Sequence, residues 1–329
     1  MISEKEFNSL IEKERKLINT KLKSVLAKRN PRSLYEPSDY ILADQGKRLR
    51  PLLVLLTAKA VGGNYAKAYN AALAVEMLHN FTLVHDDIMD NADKRRNKLT
   101  VHIKYDVNTA ILAGDGLLAV AYEYLLKNLI VPGNEVVKSF TKGLVEVCEG
   151  QSLDKEFEVK KDVSIEEYLI MISKKTAAMI EMCCEVGARI GGGSSSEIKA
   201  LTRFGKNLGI AFQIQDDLLD IAGDEVEFGK KIGGDLIEGK KTFLFLKALE
   251  KSKGKDKAAF QKIIVNKGIQ PGEVEKYKML YQKLDVLNDA KKEIVLYTQK
   301  ALRQLNQIKN VNDRQLLTFL AYSLIKRKY

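Results

Sequence analysis

Long stretches without proline restrict the fold of this chain more than any other feature. The 329 residues contain only five prolines, Pro31, Pro37, Pro51, Pro132 and Pro271. Because proline disrupts the hydrogen bonding of a helix interior, the intervals between these residues are suited to long helices. Segments with the alternating apolar and polar residues of a half-buried strand are nearly absent. We therefore predict an all-α fold.

Apolar periodicity and stop signals locate the helices. They are predicted at 3–29, 51–61, 65–90, 107–130, 132–160, 164–190, 196–222, 241–252, 256–266, 271–308 and 312–327, with loops at 92–106 and 223–240. Pro51 suits the first turn of its helix, and Gly62-Gly63 ends it. The sequence contains no low-complexity linker. We predict one domain over residues 1–329, a helical bundle able to hold a cavity between facing helices.

The composition excludes several classes of protein. The sequence has 45% hydrophobic residues but no run of 18 apolar residues, so no membrane span is predicted. Its three cysteines form no CxxC pair, and the N-terminus lacks a signal-peptide pattern, which together favour the cytoplasm. The net charge of +11 is spread along helical faces without interleaved aromatic residues. Nucleic-acid binding is therefore disfavoured.

Two acidic clusters each follow an apolar helical segment. The first contains Asp86, Asp87 and Asp90, and the second contains Asp216, Asp217 and Asp220. Residues four apart share a helix face, and each such pair of like charges costs about 0.2–0.5 kcal/mol, so both clusters require counter-charges. Carboxylates favour Mg²⁺, which usually takes one or two of them and completes its shell with water and substrate phosphate. The sequence predicts a magnesium and diphosphate site.

Other interpretations of these motifs are weaker. A single acidic cluster is usually a solvated helix end, but two copies in matching contexts favour a site. Neither copy has the ligand spacing of an EF-hand. The glycine- and lysine-rich loop at 228–242 is not a Walker A motif, because Lys231 stands where Ser or Thr is needed. His79 lies two helical turns before Asp86 and could face the same cavity, although a lone histidine on an apolar helix is more often a core residue.

The chain resembles the trans-isoprenyl diphosphate synthases of the polyprenyl synthetase family. The matching segments are GKRLRP at 46–51, HDDIMD at 85–90, Arg95-Arg96, Gly150-Gln151, KKT at 174–176, FQIQDDLLD at 212–220 and GKKIGGDLIEGKKT at 229–242. The resemblance implies the isoprenoid synthase fold with a deep central cavity, a homodimer, and head-to-tail condensation of isopentenyl diphosphate with an allylic diphosphate.

The resemblance also implies a role for each matching residue. Asp86 and Asp90, supported by Asp87, and Asp216, with Asp217 and Asp220 as nearer or outer partners, would hold two or three Mg²⁺ ions with the allylic diphosphate. Lys47, Arg50, His79 and Arg96 would bind isopentenyl diphosphate. Arg95, Lys175, Lys230 and Lys240 would bind the allylic diphosphate. Thr176 and Gln213 would stabilise the positive charge that develops on the allylic carbon.

Three positions depart from the family pattern, and two other positions bear on product length. Asn97 and Leu99 stand where Gly and Pro are common, and Asp106 stands where Gly is common. Phe81 and Thr82 precede Asp86 by five and four residues, and a bulky ring there would form a floor beneath the growing chain. One aromatic residue followed by a small Thr82 resembles archaeal-type geranylgeranyl (C20) synthases.

Several alternatives stay open at this point. The product could be farnesyl diphosphate (C15) or a longer chain (C25–C30), and Phe81 could be an ordinary core residue. A terpene cyclase also ionises an allylic diphosphate, but its second motif normally has Asn and Ser or Thr where this chain has Asp217 and Asp220. A non-catalytic regulatory subunit usually loses acidic-motif residues, and none is lost here. The sequence does not fix the preferred allylic primer or the downstream pathway.

Overall fold

The chain folds into two compact units. The computed structural model describes residues 2–44, 46–127, 133–223 and 232–325. Unit 1 comprises Met1–Thr141, Met182–Leu201 and Gln307–Phe319, and unit 2 comprises Lys142–Glu181, Thr202–Asn306 and Leu320–Tyr329. The prediction of one domain over residues 1–329 stays a prediction.

Helices make up nearly all of the regular structure. The first part of the chain contains α1 (Glu4–Val25), α2 (Arg32–Leu42), α3 (Leu49–Ala60), α4 (Tyr65–Met89), a hairpin of β1 (Lys94–Arg95) and β2 (Lys98–Leu99), α5 (Val101–Lys104), α6 (Val107–Leu126) and α7 (Gly133–Val159). It continues with α8 (Ile165–Ile172), a π-helical turn (Ser173–Ala177), α9 (Ala178–Ile190), α10 (Ser195–Ala222), α11 (Gly234–Ile237) and α12 (Phe243–Lys251). The last part contains α13 (Gly254–Asn266), a 3₁₀ turn (Pro271–Glu273), α14 (Val274–Lys283), α15 (Val286–Gln304), a second 3₁₀ turn (Leu305–Gln307) and α16 (Val311–Ile325). The all-α prediction is confirmed.

The central helix of unit 1 is α4, which carries the first acidic motif. Every residue from Ala71 to Leu78 is buried, as the apolar residues on several of its faces predict. Asn64 caps its first turn by accepting a hydrogen bond from the N–H of Lys67. The buried segment fixes the helix, so the acidic residues at its C-terminal end are held in place.

The structure differs from the predicted elements in several places, and the loops predicted at 92–106 and 223–240 contain the β1–β2 hairpin with α5 and the short helix α11 respectively. Residues 31–48, for which no helix was predicted, contain α2 with Pro37 inside it. The segment 164–190 is interrupted by the π-helical turn Ser173–Ala177, and the segment 271–308 is broken at Asp285, where φ is +59°. Neither break contains Gly or Pro, so ordinary stop signals do not mark them.

One helix in the described residues, α6, is long and apolar enough to cross a membrane by length and composition alone. Core helices pass the same test. The structure shows α6 packed against α4 through buried residues such as Ala110, Ala113, Gly114 and Leu117.

Candidate active site

The first acidic motif places its three carboxylates in different surroundings. Asp86 is half-buried and Asp90 is exposed at the C-terminal end of α4, whereas Asp87 is buried. Oδ1 of Asp87 accepts a hydrogen bond from Nε of Arg95 at 2.8 Å, and Nη2 of Arg95 lies 2.8 Å from the same oxygen. This two-pronged ion pair fixes the Arg95 guanidinium beside the motif.

His79 also lies on α4, and arginines from other segments surround it. Nη1 of Arg50 lies 3.0 Å from Nε2 of His79. Burial lowers the pKa of His79 well below its usual range, and the charges of Arg50, Arg96, Arg95 and Arg48 lower it further. Since arginine has only donors, Nε2 accepts, and the neutral ring carries its proton on Nδ1. Nδ1 is buried and has no protein partner among the described residues.

Arg96 lies against the loop that precedes α3 and contains Gly46. Its Nη1 donates to Oδ2 of Asp44 at 2.8 Å, and the same guanidinium lies over Gly46. A Cβ atom on Gly46 would come within 2.8 Å of Arg96 Nη1, so glycine leaves the room that Arg96 occupies. The structure thus gathers Arg50, His79 and Arg96, which the sequence analysis assigned to one diphosphate, in one region of unit 1.

Two of the three departures from the family pattern have structural explanations. Arg96 and Asn97 form the two-residue turn of the β1–β2 hairpin, with φ values of +50° and +63°. Both central positions of such a turn require positive φ, and Asn tolerates it better than most residues other than Gly. Asp106 caps α6 by accepting a hydrogen bond from the N–H of Thr109 at 2.9 Å. Both residues therefore preserve an ordered segment after the acidic motif.

The two residues assigned to product length point to different neighbours. The ring of Phe81 packs against His85, with 4.6 Å between ring centroids, and both rings lie beside Gly114 of α6. Thr82 Oγ1 donates to the His79 carbonyl at 2.8 Å, and its position four residues before Asp86 puts it on the Asp86 face of the helix. That these residues set product length stays a prediction.

In unit 2, a π-helical turn presents Lys175 and Thr176. Gly150 of α7 packs against the backbone of Lys174 and Lys175 so closely that a Cβ atom has no room there. Lys175 Nζ donates to Oδ2 of Asp154, one helical turn beyond Gly150, at 2.5 Å. Because π-helical turns insert one extra residue and often occur at functional sites, this turn is a candidate substrate-binding element.

The second acidic motif is also divided between half-buried and buried carboxylates. Asp216 is half-buried, whereas Asp217 and Asp220 are buried. Asp217 accepts hydrogen bonds from the Tyr168 hydroxyl, the Gln213 side-chain amide and the Phe243 N–H. Burial raises the pKa of Asp217 to about 7, and the negative charge of Asp235 acts in the same direction, while the three hydrogen bonds oppose the rise.

The loop after α10 is fastened to the second motif. Oδ2 of Asp220 accepts from the N–H of Asp235 at 3.2 Å, and the Asp220 carbonyl accepts from the N–H of Gly233 at 2.7 Å. Lys240 Nζ lies 2.6 Å from Glu238 and 3.9 Å from Asp235. Lys230, assigned to the same diphosphate, lies outside the described residues.

The donor set fits Mg²⁺ bound together with a diphosphate. Among the described residues, no three His, Cys, Asp or Glu side chains converge as a ligand group for a metal ion. Mg²⁺ rarely occupies such an all-protein cage and instead uses one or two carboxylates with water and phosphate. Within unit 1, Asp86 and Asp90 at the C-terminal end of α4 could hold the ion with a bound diphosphate, and within unit 2 the half-buried Asp216 of α10 is the corresponding carboxylate.

Sequence reasoning missed the partners of the predicted site residues. Asp154 and Tyr168 bind Lys175 and Asp217 respectively, and Glu76 binds Arg48, which adjoins the predicted ligand Lys47. Only the pairing of Asp154 with Lys175 has a signal in the sequence, because Asp154 lies one helical turn after Gly150 of the matching segment Gly150-Gln151. The other pairings join distant segments, and no local pattern signals them.

Comparison with known proteins places these observations in context. The family model for polyprenyl synthetase matches residues 31–283. A geranylgeranyl diphosphate synthase from Sulfolobus acidocaldarius is 40% identical over 94% of this chain and 96% of its own. The crystal structure of geranylgeranyl pyrophosphate synthetase from Pyrococcus horikoshii matches with a TM-score of 0.92 and 39% identity, covering 98% of this chain and 99% of that one. A geranylfarnesyl diphosphate synthase from Natronomonas pharaonis is 33% identical over the full length of both chains.

Proposed function

Because the chain belongs to the polyprenyl synthetase family, we propose that it is a Mg²⁺-dependent trans-prenyltransferase. It condenses isopentenyl diphosphate head-to-tail with dimethylallyl, geranyl or farnesyl diphosphate, and its main product is geranylgeranyl diphosphate. Similarity to geranylgeranyl synthases over nearly the whole chain supports this product. The enzyme acts in the cytoplasm as a homodimer.

The observation that carries this proposal is the arginine cluster around a neutral histidine beside an acidic motif. Arg50, His79 and Arg96 supply cationic and neutral donors for the diphosphate of the isopentenyl substrate, together with Lys47. Arg95, held by Asp87, serves the allylic diphosphate, as do Lys175, Lys230 and Lys240. This combination of donors and carboxylates is suited to diphosphate chemistry and leaves no need for a protein nucleophile.

The reaction transfers a prenyl group with balanced bonds. The allylic C–O bond breaks and its electron pair leaves with the diphosphate, while the double bond of isopentenyl diphosphate supplies the electrons of the new C–C bond. A proton is then lost to the released diphosphate, which restores a double bond. Bound Mg²⁺ would neutralise the charge of the departing diphosphate. Thr176 and Gln213 stabilise the allylic cation, and Lys175 orients the leaving group.

The test is an incubation of purified protein with labelled isopentenyl diphosphate, Mg²⁺ and each allylic primer in turn. We expect Mg²⁺-dependent incorporation and a C20 alcohol as the main product after dephosphorylation. A C15 product, or C25 and longer products, would retain the chemistry and change the assigned chain length. Absence of incorporation with every primer would instead favour a regulatory subunit, and ionisation without consumption of isopentenyl diphosphate would favour a terpene cyclase.

Replacement of Phe81 by Ala is expected to lengthen the products beyond C20, because removal of the ring opens the space beneath the acidic motif. Chromatography of the dephosphorylated products measures the shift. Phe319→Ala in unit 1 is the matched control, since that ring packs on Phe7 near the other end of the sequence and product length should not change. An unchanged product distribution in Phe81→Ala would remove Phe81 from the floor.

A further inference from the structure

The two carboxylate oxygens of Asp217 have different partners. Oδ2 accepts hydrogen bonds from the Tyr168 hydroxyl at 2.6 Å and from the Phe243 N–H at 3.0 Å. Oδ1 accepts from Nε2 of Gln213 at 3.0 Å. All four residues belong to unit 2, and Asp217 is only 4% exposed. Three protein donors therefore occupy a carboxylate that lies within the acidic motif.

These contacts fix the direction of the neighbouring hydrogen bonds. Oδ1 of Asp217 accepts from Nε2, so the Gln213 amide turns its NH₂ group toward Asp217. Its Oε1 then faces Thr176 and accepts from the Thr176 hydroxyl at 2.8 Å. Thr176 has a single hydroxyl proton and donates it to Gln213. Only the oxygen lone pairs of Thr176 are left for a ligand.

We propose that Asp217 is a positioning residue that sets the polarity of the Asp217–Gln213–Thr176 chain, so that Thr176 presents lone pairs rather than its proton to the reacting allylic carbon. The inference rests on the proposed function, because that function supplies the allylic cation. When the C–O bond breaks and its electron pair leaves with the diphosphate, the carbon becomes positive. Oxygen lone pairs directed at that carbon stabilise it, whereas a hydroxyl proton would oppose the developing charge.

The Asp217→Asn variant tests this polarity. Tyr168 and Phe243 both donate to the Oδ2 position, so the asparagine oxygen must occupy it and the NH₂ group must face Gln213. The Gln213 amide then turns over, and Thr176 must accept and direct its proton elsewhere. At pH 8.5 we expect kcat to fall about 30- to 100-fold relative to the wild type. The KM for isopentenyl diphosphate and the Mg²⁺ concentration at half-maximal rate should stay within about twofold.

The double variant Asp217→Asn/Gln213→Glu exchanges the carboxylate and the amide between positions 217 and 213, so that Thr176 can again donate its proton to the side chain at position 213. The glutamate introduced at position 213 has acceptors at both ends, so it can accept from the NH₂ group of the new asparagine and from the Thr176 hydroxyl. The exchange keeps side-chain size and net charge. We expect kcat to recover at least about tenfold relative to Asp217→Asn, a coupling that independent residues would not show. Asp162→Asn, an exposed substitution of the same type in unit 2, should leave the kinetics unchanged.

Two results would overturn the proposal. A rise of more than about tenfold in the Mg²⁺ requirement of Asp217→Asn would make Asp217 a metal ligand, and a double variant no faster than the single one would remove the chain polarity. Should thermal unfolding show that Asp217→Asn does not fold, the double variant still decides. If Asp217 orients Gln213, the double variant is folded and its kcat lies within about tenfold of the wild-type value. If Asp217 is instead a metal ligand, kcat falls about 1,000-fold whatever residue stands at position 213. Wild-type protein without incorporation would refute the proposed function itself.

Discussion

Replacement of Asp86 by Asn is expected to lower kcat about 1,000-fold, the largest loss we expect from a single substitution in unit 1. The change removes one of two carboxylates that share a face of α4 and would hold Mg²⁺ against the diphosphate. With one charge fewer, the ion binds more weakly and the leaving group is less neutralised. Steady-state rates over a range of Mg²⁺ concentrations should show a lower maximum and a higher half-saturating concentration.

Two further variants show whether the effect belongs to the metal face. Asp93→Asn alters an exposed carboxyl just beyond the motif and should leave the rate within about twofold of wild type. Asp87→Asn should raise the KM for the allylic substrate, because Asp87 holds Arg95, and should leave the Mg²⁺ dependence nearly unchanged. An identical Mg²⁺ dependence in Asp86→Asn and wild type would refute the assignment of Asp86.

The middle aspartate of each acidic motif has a comparable structural position. Asp87 is buried against Arg95, and Asp217 is buried against Tyr168 and Gln213. Consecutive helical residues point about 100° apart, so a residue next to a metal-facing carboxylate can point into the protein. This division relieves the repulsion that three like charges on one helical turn would otherwise cause. Each buried carboxylate instead orients another predicted site residue.

Helix positions could be predicted well where local signals act alone. The prediction of a helix at 65–90 agrees with α4 (Tyr65–Met89), because Asn64 caps it and its apolar residues are buried. The π-helical turn could not be predicted, since it accompanies a close approach of Gly150 to Lys174 and Lys175 from a different helix. The break at Asp285 likewise has no Gly or Pro to mark it.

The candidate site, like the helices, could be predicted only where local sequence signals mark its residues. Short motifs predict Arg50 and Arg96 as site residues, whereas His79 was predicted from its spacing of two helical turns before Asp86 and from the family resemblance. The orienting partners escaped prediction, since an ion pair between segments far apart in sequence leaves no periodic trace. Lys175 with Asp154 and Arg48 with Glu76 are examples. Sequence patterns therefore predict candidate substrate-binding residues more readily than the residues that orient them.

The pair of Arg48 and Glu76 should have the largest effect on stability in unit 1. Both residues are 4% exposed, and Arg48 Nη1 lies 2.5 Å from Glu76 Oε1. Arg48 also donates to Asn19 Oδ1 at 2.8 Å and to the Leu42 carbonyl at 3.0 Å, and it stands at the start of α3 with φ of +51°. These contacts fix the backbone between Lys47 and Arg50, two of the predicted substrate ligands.

Replacement of Glu76 by Ala is expected to lower the free energy of unfolding by about 3–5 kcal/mol, because it leaves the Arg48 charge buried without a carboxylate. Urea denaturation followed by circular dichroism measures the loss. The control is Glu12→Ala, which removes an exposed ion pair with Arg15 and should cost less than about 1 kcal/mol.

A double substitution separates the charge from the packing. Arg48→Met combined with Glu76→Leu removes both charges and fills most of the space, and apolar replacement of a buried ion pair is often close to neutral. We expect it to recover most of the stability lost in Glu76→Ala while raising the KM for isopentenyl diphosphate, because Lys47 and Arg50 lose the anchored backbone between them. If Glu76→Ala and Glu12→Ala cost the same, the buried pair does not stabilise this region as we infer.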